Sequence, residues 1–280
     1  GAEVSTKDLA AMMVGREVSL GRRPDRPNGP GDVALEVSGV TVRNDFGRVT
    51  LSDASLQVRE GEVVAVAGVA GNGQRELAEA VTGLRELEEG EVRIGGKRVR
   101  SGQPRDAIEH GMAYVPQDRL AVGLAPGLSI ADNLILKAER DDKEIASGPI
   151  LLKGRIQART REMLERFDIR GASDAPVGSL SGGNAQKVIL ARELSCDPRV
   201  VVAESPTRGL DVGAIASVRR TLLEAAGRGV AILLVSEDLD EVLDLADRVA
   251  VMYGGRIVGV VEAEGADHEQ LGLMMAGIAA

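Results

Sequence analysis

Residues 68–76, GVAGNGQRE, follow directly on the apolar run EVVAVA at 62–67. A glycine-rich turn between a buried strand and a helix is typical of loops that hold phosphate with backbone N–H groups. The complete pattern has Lys and then Ser or Thr after its last glycine, but this sequence has Gln74 and Arg75 there. The stretch therefore predicts a strand, a phosphate-binding loop and a helix, without the usual cation and hydroxyl. Taken alone, it is also compatible with a tight strand-to-helix turn.

The overall composition argues against several classes of function. The 280 residues are 44% hydrophobic and carry a formal net charge of −9, with 1% aromatic residues and no Trp. Such a chain can bury a core of Val, Ile, Leu and Ala, but its acidity and its lack of aromatic platforms argue against nucleic acid as a partner. No window of roughly 18 apolar residues is present, so no membrane span is predicted. The single Cys196 excludes an intrachain disulfide, and we expect its side chain to be buried.

The first part of the chain is predicted to lie outside the compact domain. Residues 1–18 have neither an initial Met nor a secretion signal, and we expect the chain to be a fragment of a longer protein. Residues 21–32, GRRPDRPNGPGD, combine Pro and Gly with no apolar side chain, which predicts an extended linker. The compact domain should start near Val33.

The first half of the domain is predicted to be rich in strands. ALEVSGVTVR and VTLSDASLQV alternate like paired strands, and VVAVA has the continuous apolar character of a strand buried on both faces. A helix should run from Gln74 to Leu84. EVRIGGKRVR predicts a hairpin that turns at Gly95 and Gly96, and MAYVP at 112–116 predicts a short strand.

The second half is predicted to hold a helical insertion and then alternating strands and helices. Helical patterns occur in SIADNLILKAER, RIQARTREMLERF and NAQKVILARELS, and the charged stretch ERDDKEIASG at 139–148 reads as a solvated connection. Beyond them, the patterns typical of strands and of helices alternate, in the order RVVVA, GAIASVRRTLLEAA, VAILLVS, EDLDEVLDLA and RVAVMY. Strands separated by helices of this length predict an α/β fold with a mainly parallel sheet.

A second glycine pair occurs in LSGGNAQK at 180–187, at the start of a predicted helix. Free N–H groups and the positive end of a helix dipole favour phosphate oxygens at such a place. By itself the segment is also compatible with an ordinary helix start that Ser181 caps.

Together, in this order and spacing, these segments resemble the ATP-binding-cassette (ABC) ATPases over nearly the whole of residues 33–278. The matching motifs are the phosphate loop at 68–76, Gln117 in YVPQDR, the signature at 181–186, Glu204 and Ser205 in VVVAESPTRGLD, Asp211, and Glu237 in LLVSEDLDEV. The resemblance implies an ABC-type P-loop NTPase core, an antiparallel β subdomain and a helical subdomain inserted at about 119–196. We expect residues 1–32 to be the tail of a preceding cassette and a linker, and residues 33–280 to be one nucleotide-binding domain.

The resemblance is narrower in PTRGLDVGA, LSGGNAQK, VPQDR and SEDLDEV. These segments look like the second cassette of the tandem ATP-binding subunits that drive bacterial import of simple sugars and nucleosides. KDLAAMMVGREV is similar to the segment by which such proteins leave their first cassette, and LGLMMAG resembles their ending. In the phosphate loop, the motif GNGQ followed by EL resembles the nucleoside importers of this family more than the sugar importers.

In this family ATP lies between two cassettes packed head to tail, held by the phosphate loop of one and the signature of the other. The resemblance assigns to this domain's own nucleotide Phe46, Gly68, Gly71, Asn72, Gly73, Gln74, Arg75, Glu76 and Gln117. Phe46 stands where the family has an adenine-stacking aromatic, and packing in the core is the alternative. We expect no metal site built from histidines, because His110 and His268 lack ligand spacing and read as surface or helix-end residues.

The resemblance also implies that the domain's own site has lost its chemistry. Gln74 replaces the lysine at the β and γ phosphates, and Arg75 replaces the hydroxyl that holds Mg²⁺. Glu204 stands in place of the aspartate that supports the metal, Ser205 in place of the catalytic carboxylate, and Glu237 in place of the histidine at the γ phosphate. We therefore expect ATP and Mg²⁺ to bind there weakly or not at all, with no confident catalytic residue and no hydrolysis by this domain alone.

The groups that would reach across to a facing cassette are retained. They are the signature residues Ser181, Gly182, Gly183, Asn184 and Gln186, and Asp211 in the turn between the two sites. The resemblance thus implies a cassette that completes the active site of a first cassette of the same subunit.

The expected partners are that first cassette and a transmembrane permease, which would hold the chain at the cytoplasmic face of the bacterial inner membrane without insertion of its own. The alternative is a structural or regulatory module that binds nucleotide without hydrolysis and scaffolds the permease. A cassette protein of DNA repair or translation is a third class, which the acidic charge disfavours.

Overall fold

The computed structural model describes residues 29–137, 145–147 and 150–278. Within them, residues 29–114, 197–206 and 222–278 form one compact unit, the sheet unit. Residues 115–137, 145–147, 150–196 and 207–221 form a second, the helical unit. The predicted tail and most of the predicted linker lie outside the described residues.

The strands alternate with helices along most of the chain. The strands are β1 (Val33–Arg43), β2 (Val49–Arg59), β3 (Val63–Gly68), β4 (Glu89–Ile94), β5 (Lys97–Val99), β6 (Met112–Val115), β7 (Ala146–Ser147), β8 (Ile150–Leu151), β9 (Val200–Glu204), β10 (Ala231–Ser236), β11 (Arg248–Tyr253) and β12 (Arg256–Glu262). The helices are α1 (Gln74–Val81), α2 (Pro104–Glu109), α3 (Ile130–Ile135), α4 (Lys153–Arg166), α5 (Gly182–Leu194), α6 (Val212–Gly227), α7 (Leu239–Leu245) and α8 (His268–Met275). No helix among the described residues is long and apolar enough to cross a membrane.

The two larger sheets of the described residues confirm the predicted fold class. A six-stranded sheet has the order β12-β11-β3-β10-β9-β6, in which β11, β3, β10 and β9 run parallel. A four-stranded antiparallel sheet has the order β2-β1-β4-β5. Its predicted hairpin turns at Gly95 and Gly96, whose φ angles of 54° and 76° suit the two-residue turn that matches strand twist.

The core of the sheet unit consists almost entirely of aliphatic side chains. Every residue of β3 and of β10 is buried, as the continuous apolar runs predict. Leu35, Leu77 and Leu233 are 0% exposed and belong to one cluster that joins both sheets to α1. Branched and small side chains fill this space because the sequence has few aromatic residues to do so.

Several predicted boundaries were wrong. Helix α1 ends at Val81 and not at Leu84, because Gly83 adopts a φ of 74° that a helix cannot continue. Helix α3 ends at Ile135, well before the end of its pattern. The sequence analysis also missed strand β12 and helix α8.

Two predictions about exposure were also wrong. Ile145 in the charged stretch is 1% exposed, and β7 and β8 form a short hairpin beside it, so residues 145–147 are not merely a solvated connection. Cys196 is exposed and not buried, because it follows the C-terminus of α5, where the chain turns at Asp197 with a φ of 46°.

Helix α5 carries one buried amide that the helical unit leaves without a partner. Gln186 is 1% exposed, and neither its Oε1 nor its Nε2 atom meets a hydrogen-bond partner in the described part of the chain. Asn133 on α3 shows the contrast, since its buried amide donates to the carbonyl oxygens of Ala125 and Ser129 and accepts from the N–H of Ala125. The burial of this amide therefore costs free energy that no hydrogen bond in the described part of the chain offsets.

We predict that Gln186→Met stabilises the chain. Met has a similar size, and a buried amide without a partner costs about 1–3 kcal/mol, so the free energy of unfolding should rise by about 1 kcal/mol. Denaturant unfolding followed by circular dichroism measures this change. Gln157→Met, at an exposed position of α4, is the matched control and should have no effect. A loss of stability in Gln186→Met would show that the amide is satisfied.

Candidate functional site

The glycine-rich loop lies where β3 passes into α1, and its backbone is fixed by neighbouring strands. Gly71 and Gly73 have φ angles of 88° and 98°, which favour glycine. A Cβ on Gly73 would lie 2.5 Å from the carbonyl oxygen of Thr50. The N–H groups of Gly71 and Gly73 meet no acceptor in the described residues, so the loop keeps donors of the kind that hold phosphate.

Asn72 ties the tip of this loop to the end of β11. Its Nδ2 donates to the carbonyl oxygen of Met252 at 3.4 Å, and its Oδ1 accepts from the N–H of Gly254 at 3.1 Å. The loop is thus held in place without any bound nucleotide.

Gln74 turns its side chain into the loop and away from solvent. The residue is 7% exposed, and its Nε2 donates to the carbonyl oxygen of Val69 at 3.1 Å. A Cβ on Gly68 would lie 2.6 Å from the same Nε2. The amide therefore closes the loop on itself and brings no positive charge to a phosphate.

Arg75 is held on the surface of α1 by an ion pair. Its Nε lies 2.7 Å from Oε1 of Glu79, and the side chain is 76% exposed. The hydrogen bond to Glu79 raises the pKa of Arg75 above its ordinary value. The other oxygen of Glu79 lies 2.6 Å from Arg85, which also pairs with Asp45 at 3.0 Å. Arg75 thus belongs to a chain of alternating charges, so it is not an isolated cation.

Glu204, at the end of β9, accepts a hydrogen bond from another residue of the sheet unit. It is 7% exposed and accepts from the hydroxyl of Tyr114. Burial raises the pKa of Tyr114 above its usual range, and the negative charge and hydrogen bond of Glu204 add to that shift. The phenol therefore stays protonated and remains a donor to the carboxylate at neutral pH.

Among the described residues, this place offers Mg²⁺ the carboxylate of Glu204 but no hydroxyl at position 75. Arg75 supplies a cation where the family places a hydroxyl ligand, and Glu204 already accepts from Tyr114. No group of three Asp, Glu, His or Cys residues within the described ranges could hold a metal ion. Mg²⁺ at nucleotide sites is usually held by one or two carboxylates together with water and the phosphates, and Glu204 is the carboxylate that this place offers.

The remaining positions assigned to the domain's own nucleotide lie near strand ends. Ser205 follows β9 with a φ of 38°, and its N–H donates to the carbonyl oxygen of Val235 at 2.7 Å. Glu237 follows β10 and is exposed, and Glu76 lies half-buried in the first turn of α1.

Phe46 lies on the loop between β1 and β2 and is 89% exposed. The alternative of core packing is therefore wrong. The loop is built around Asn44, whose Oδ1 accepts from the N–H groups of Phe46 at 3.0 Å and Arg48 at 3.1 Å. Gly47, with a φ of 75°, turns the chain so that the ring projects into solvent, where it could stack on a base.

The signature segment begins α5 in the helical unit. Ser181 is the N-cap, and its Oγ accepts from the backbone N–H of Asn184 at 3.4 Å and from Nδ2 of the same residue at 3.0 Å. The predicted capping role of Ser181 is thus confirmed. Ser181 and Gly182 are exposed, and the N–H groups of Gly182 and Gly183 meet no acceptor in the described residues. These donors are available to an anion that arrives from outside the chain.

The Asp211 turn packs directly against this segment. Oδ1 of Asp211 accepts from the N–H of Ala214 at 2.9 Å and so caps α6. A Cβ on Gly183 would lie 2.8 Å from Cβ of Ala214, so only glycine permits the approach. Asp211 is exposed, whereas Gln186 is buried in the same unit.

Arg119, which was not predicted from the sequence as a site residue, also lies at this place. Its guanidinium donates through Nη2 to the carbonyl oxygen of Arg208. Nη1 lies 2.9 Å from the position that a Cβ on Gly182 would occupy. Burial lowers the pKa of Arg119, and nearby Asp118 opposes that shift. The only signal in the sequence was a cation directly after VPQD, which gives no indication of a contact across the fold.

The candidate residues divide between the two units. The sheet unit holds Phe46, the loop 68–76, Glu204, Ser205 and Glu237, and the helical unit holds Gln117, the signature at 181–186 and Asp211. Gln117, which the sequence predicts to serve the domain's own nucleotide, thus lies in the same unit as the signature and Asp211.

Known proteins resemble the chain in both sequence and fold. It is 46% identical over 279 residues to the glucose import ATP-binding protein TsgD13 of Haloferax volcanii, covering 99% of this chain and 50% of that protein. It is 41% identical over 276 residues to the guanosine import ATP-binding protein NupO of Bacillus subtilis, covering 98% and 54%. The chain thus spans about half the length of these curated relatives.

A solved structure supports the fold. MJ1267, an ATP-binding cassette of an ABC transporter, matches with a TM-score of 0.73 and 21% identity, over 88% of this chain and 98% of that one. The model of the family described as ABC transporter matches residues 51–208, which include the phosphate loop, the signature and Glu204. The chain belongs to the ABC transporter family of ATP-binding proteins.

Proposed function

We propose that this chain is the second cassette of a two-cassette ATP-binding subunit that energises the import of a sugar or a nucleoside. In this proposal its own nucleotide site is degenerate, and its signature completes the ATP site of the first cassette. A transmembrane permease would hold the subunit at the cytoplasmic face of the membrane. The relatives named for glucose and guanosine import support this class of substrate.

The sequence contains a repeat that supports a tandem arrangement. Residues 7–15, KDLAAMMVG, share Leu, both Met and the final Gly with residues 269–277, EQLGLMMAG, which include most of α8. One copy precedes the Pro- and Gly-rich linker and the other follows the last strand. Two such segments fit a protein that contains two cassettes, each ending in the same pattern.

The observation that carries the proposal is the contrast between altered and retained groups. At the domain's own site, Gln74 bonds to its own loop, Arg75 to Glu79, and Glu204 accepts from Tyr114. By contrast, Ser181 and Gly182 remain exposed at the start of a 13-residue helix. A chain that had lost all function would have no reason to keep the second set.

The size of the loss can be estimated. A hydrogen bond to a charged group contributes about 1.5–3 kcal/mol, and each 1.4 kcal/mol is a tenfold change in affinity. The presence of Gln74 in place of the lysine and of Arg75 in place of the hydroxyl ligand should therefore lower the affinity for ATP by roughly two decades or more. Hydrolysis suffers more, because phosphoryl transfer depends on positioning and electrostatic stabilisation.

The alternative function is a structural or regulatory module that scaffolds the permease. It accounts equally well for the degenerate site, and it predicts no hydrolysis by the isolated chain either. The two differ in what the signature does, because a scaffold has no need of Ser181 at a facing nucleotide.

We predict that Ser181→Ala abolishes most ATP turnover in the full-length, two-cassette protein, because it removes the helix cap and a hydroxyl at the facing phosphate. Phosphate release at saturating ATP should fall about tenfold or more. Ser179→Ala, two residues earlier and also exposed, is the matched control and should keep normal turnover. Normal turnover in Ser181→Ala would favour the scaffold.

We predict that the isolated chain releases no phosphate from ATP, and that Gln74→Lys with Arg75→Ser restores binding but not hydrolysis. The double variant recreates the cation and the hydroxyl ligand, so ATP affinity should rise about tenfold or more and depend on Mg²⁺. Calorimetry with and without Mg²⁺ measures both effects. Gln74→Met with Arg75→Ala is the uncharged control, which should not gain affinity. Brisk hydrolysis by the unmodified chain would contradict the proposal.

A further inference from the structure

Arg119 joins two segments that the proposed function requires at one facing nucleotide. It lies two residues after Gln117, at the start of a short helical turn, Arg119–Gly123, which is separate from α5 and from the Asp211 turn. Through Nη2 it donates to the carbonyl oxygen of Arg208, three residues before Asp211, while Nη1 lies over Gly182 at the start of α5. One planar guanidinium thus contacts the signature and the Asp211 turn together.

No ion pair explains the position of this side chain. Arg119 contacts no carboxylate within the described ranges, and its own neighbour Asp118 instead accepts from the N–H groups of Leu120 at 3.1 Å and Ala121 at 2.9 Å. The charged group therefore lies half-buried beside a helix N-terminus, where the helix dipole does not favour a cation. The position of the side chain is therefore explained by what it contacts, the carbonyl oxygen of Arg208 and the backbone at Gly182, and not by pairing with an opposite charge.

Close contacts elsewhere hold the same elements together. A Cβ on Gly123 would lie 2.7 Å from Cδ1 of Ile189, so the turn after Arg119 packs closely on α5. Gly183 packs against Ala214, which Asp211 caps. These two contacts join the segment after Arg119 to α5 and α5 to the Asp211 turn, and the bond from Arg119 to Arg208 joins the first segment to that turn.

We propose that Arg119 is a positioning residue that keeps the signature and the Asp211 turn in register with the segment beginning at Gln117. It acts through Gly182 and the carbonyl of Arg208, and it does not touch the nucleotide itself. This inference rests on the proposed function, because register between these segments matters only if both face the nucleotide of another cassette.

The first test measures hydrogen–deuterium exchange in this chain, peptide by peptide. Losing the bond to Arg208 should speed exchange in residues 181–186 and 208–214 by about tenfold in Arg119→Ala, as one hydrogen bond to a charged group predicts. Residues 68–76, in the sheet unit, should not change. Arg161→Ala removes an exposed guanidinium from α4 and is the matched control, with no change expected in either segment.

Arg119→Lys keeps the test decisive if Arg119→Ala fails to fold. Lys retains the charge and can donate to one acceptor, but it lacks the planar fork that serves two neighbours. Exchange in Arg119→Lys should be faster than in the unmodified chain and slower than in Arg119→Ala. Unchanged exchange in either segment, in both variants, would overturn the inference.

The second test measures ATP turnover in the full-length, two-cassette protein. Arg119→Ala should lower kcat about tenfold and change KM for ATP less than about threefold, because the first cassette's own phosphate loop would hold the nucleotide. If Arg119→Ala lowered turnover only by unfolding part of the protein, the loss of kcat would match the loss of circular dichroism signal. Ser181→Ala should cost less in the Arg119→Ala background than alone, because both changes act on one unit.

The outcomes separate this inference from the proposed function. If Ser181→Ala abolishes turnover and Arg119→Ala does not reduce it, the positioning role is wrong and the proposed function stands. If Ser181→Ala leaves turnover intact, the proposed function fails, and the role of Arg119 at a facing site fails with it. Faster exchange in both segments together with non-additive losses of kcat supports the inference.

Discussion

The parallel pairing of β3 with β10 and β11 is the constraint on which the rest of the sheet unit depends. Ala67 pairs with Ser236 and Gly68 with Met252, while Glu204 pairs with Val235. Parallel strands all end at the same edge of a sheet, so the segments that follow them emerge side by side. The phosphate loop, Ser205 and Glu237 are therefore neighbours at one edge because of backbone register, whatever side chains they carry.

This constraint does not depend on the side chains that would bind a nucleotide. The strands are specified by buried Val, Ala, Leu and Ile, none of which takes part in binding a nucleotide. Glycines at positions 71 and 73 are specified by the shape of the loop and by the nearby carbonyl of Thr50. Neither strand pairing nor the φ angles of the loop require the side chains of Gln74 and Arg75, so the architecture does not dictate these two residues.

Sequence patterns gave the fold class and most of the strands, because continuous apolar runs and glycine turns are local signals. They also gave the order of the motifs. The exposed position of Cys196 and the early end of α1 depend on where the chain turns, and only the backbone shows that. The contacts of Arg119 and Tyr114 join residues about 90 positions apart, so no local pattern could reveal them.

Three of the residues assigned to the domain's own nucleotide make structural contacts within the sheet unit. Gln74 closes the loop, Arg75 connects Glu79 to a line of charges, and Glu204 accepts from the phenol of Tyr114. Under the proposed function, a mutation back towards an active site would first break one of these contacts, and it would bring no hydrolysis until Ser205 also changed. Under the same proposal, a return to hydrolysis would therefore require several substitutions together and not a single one.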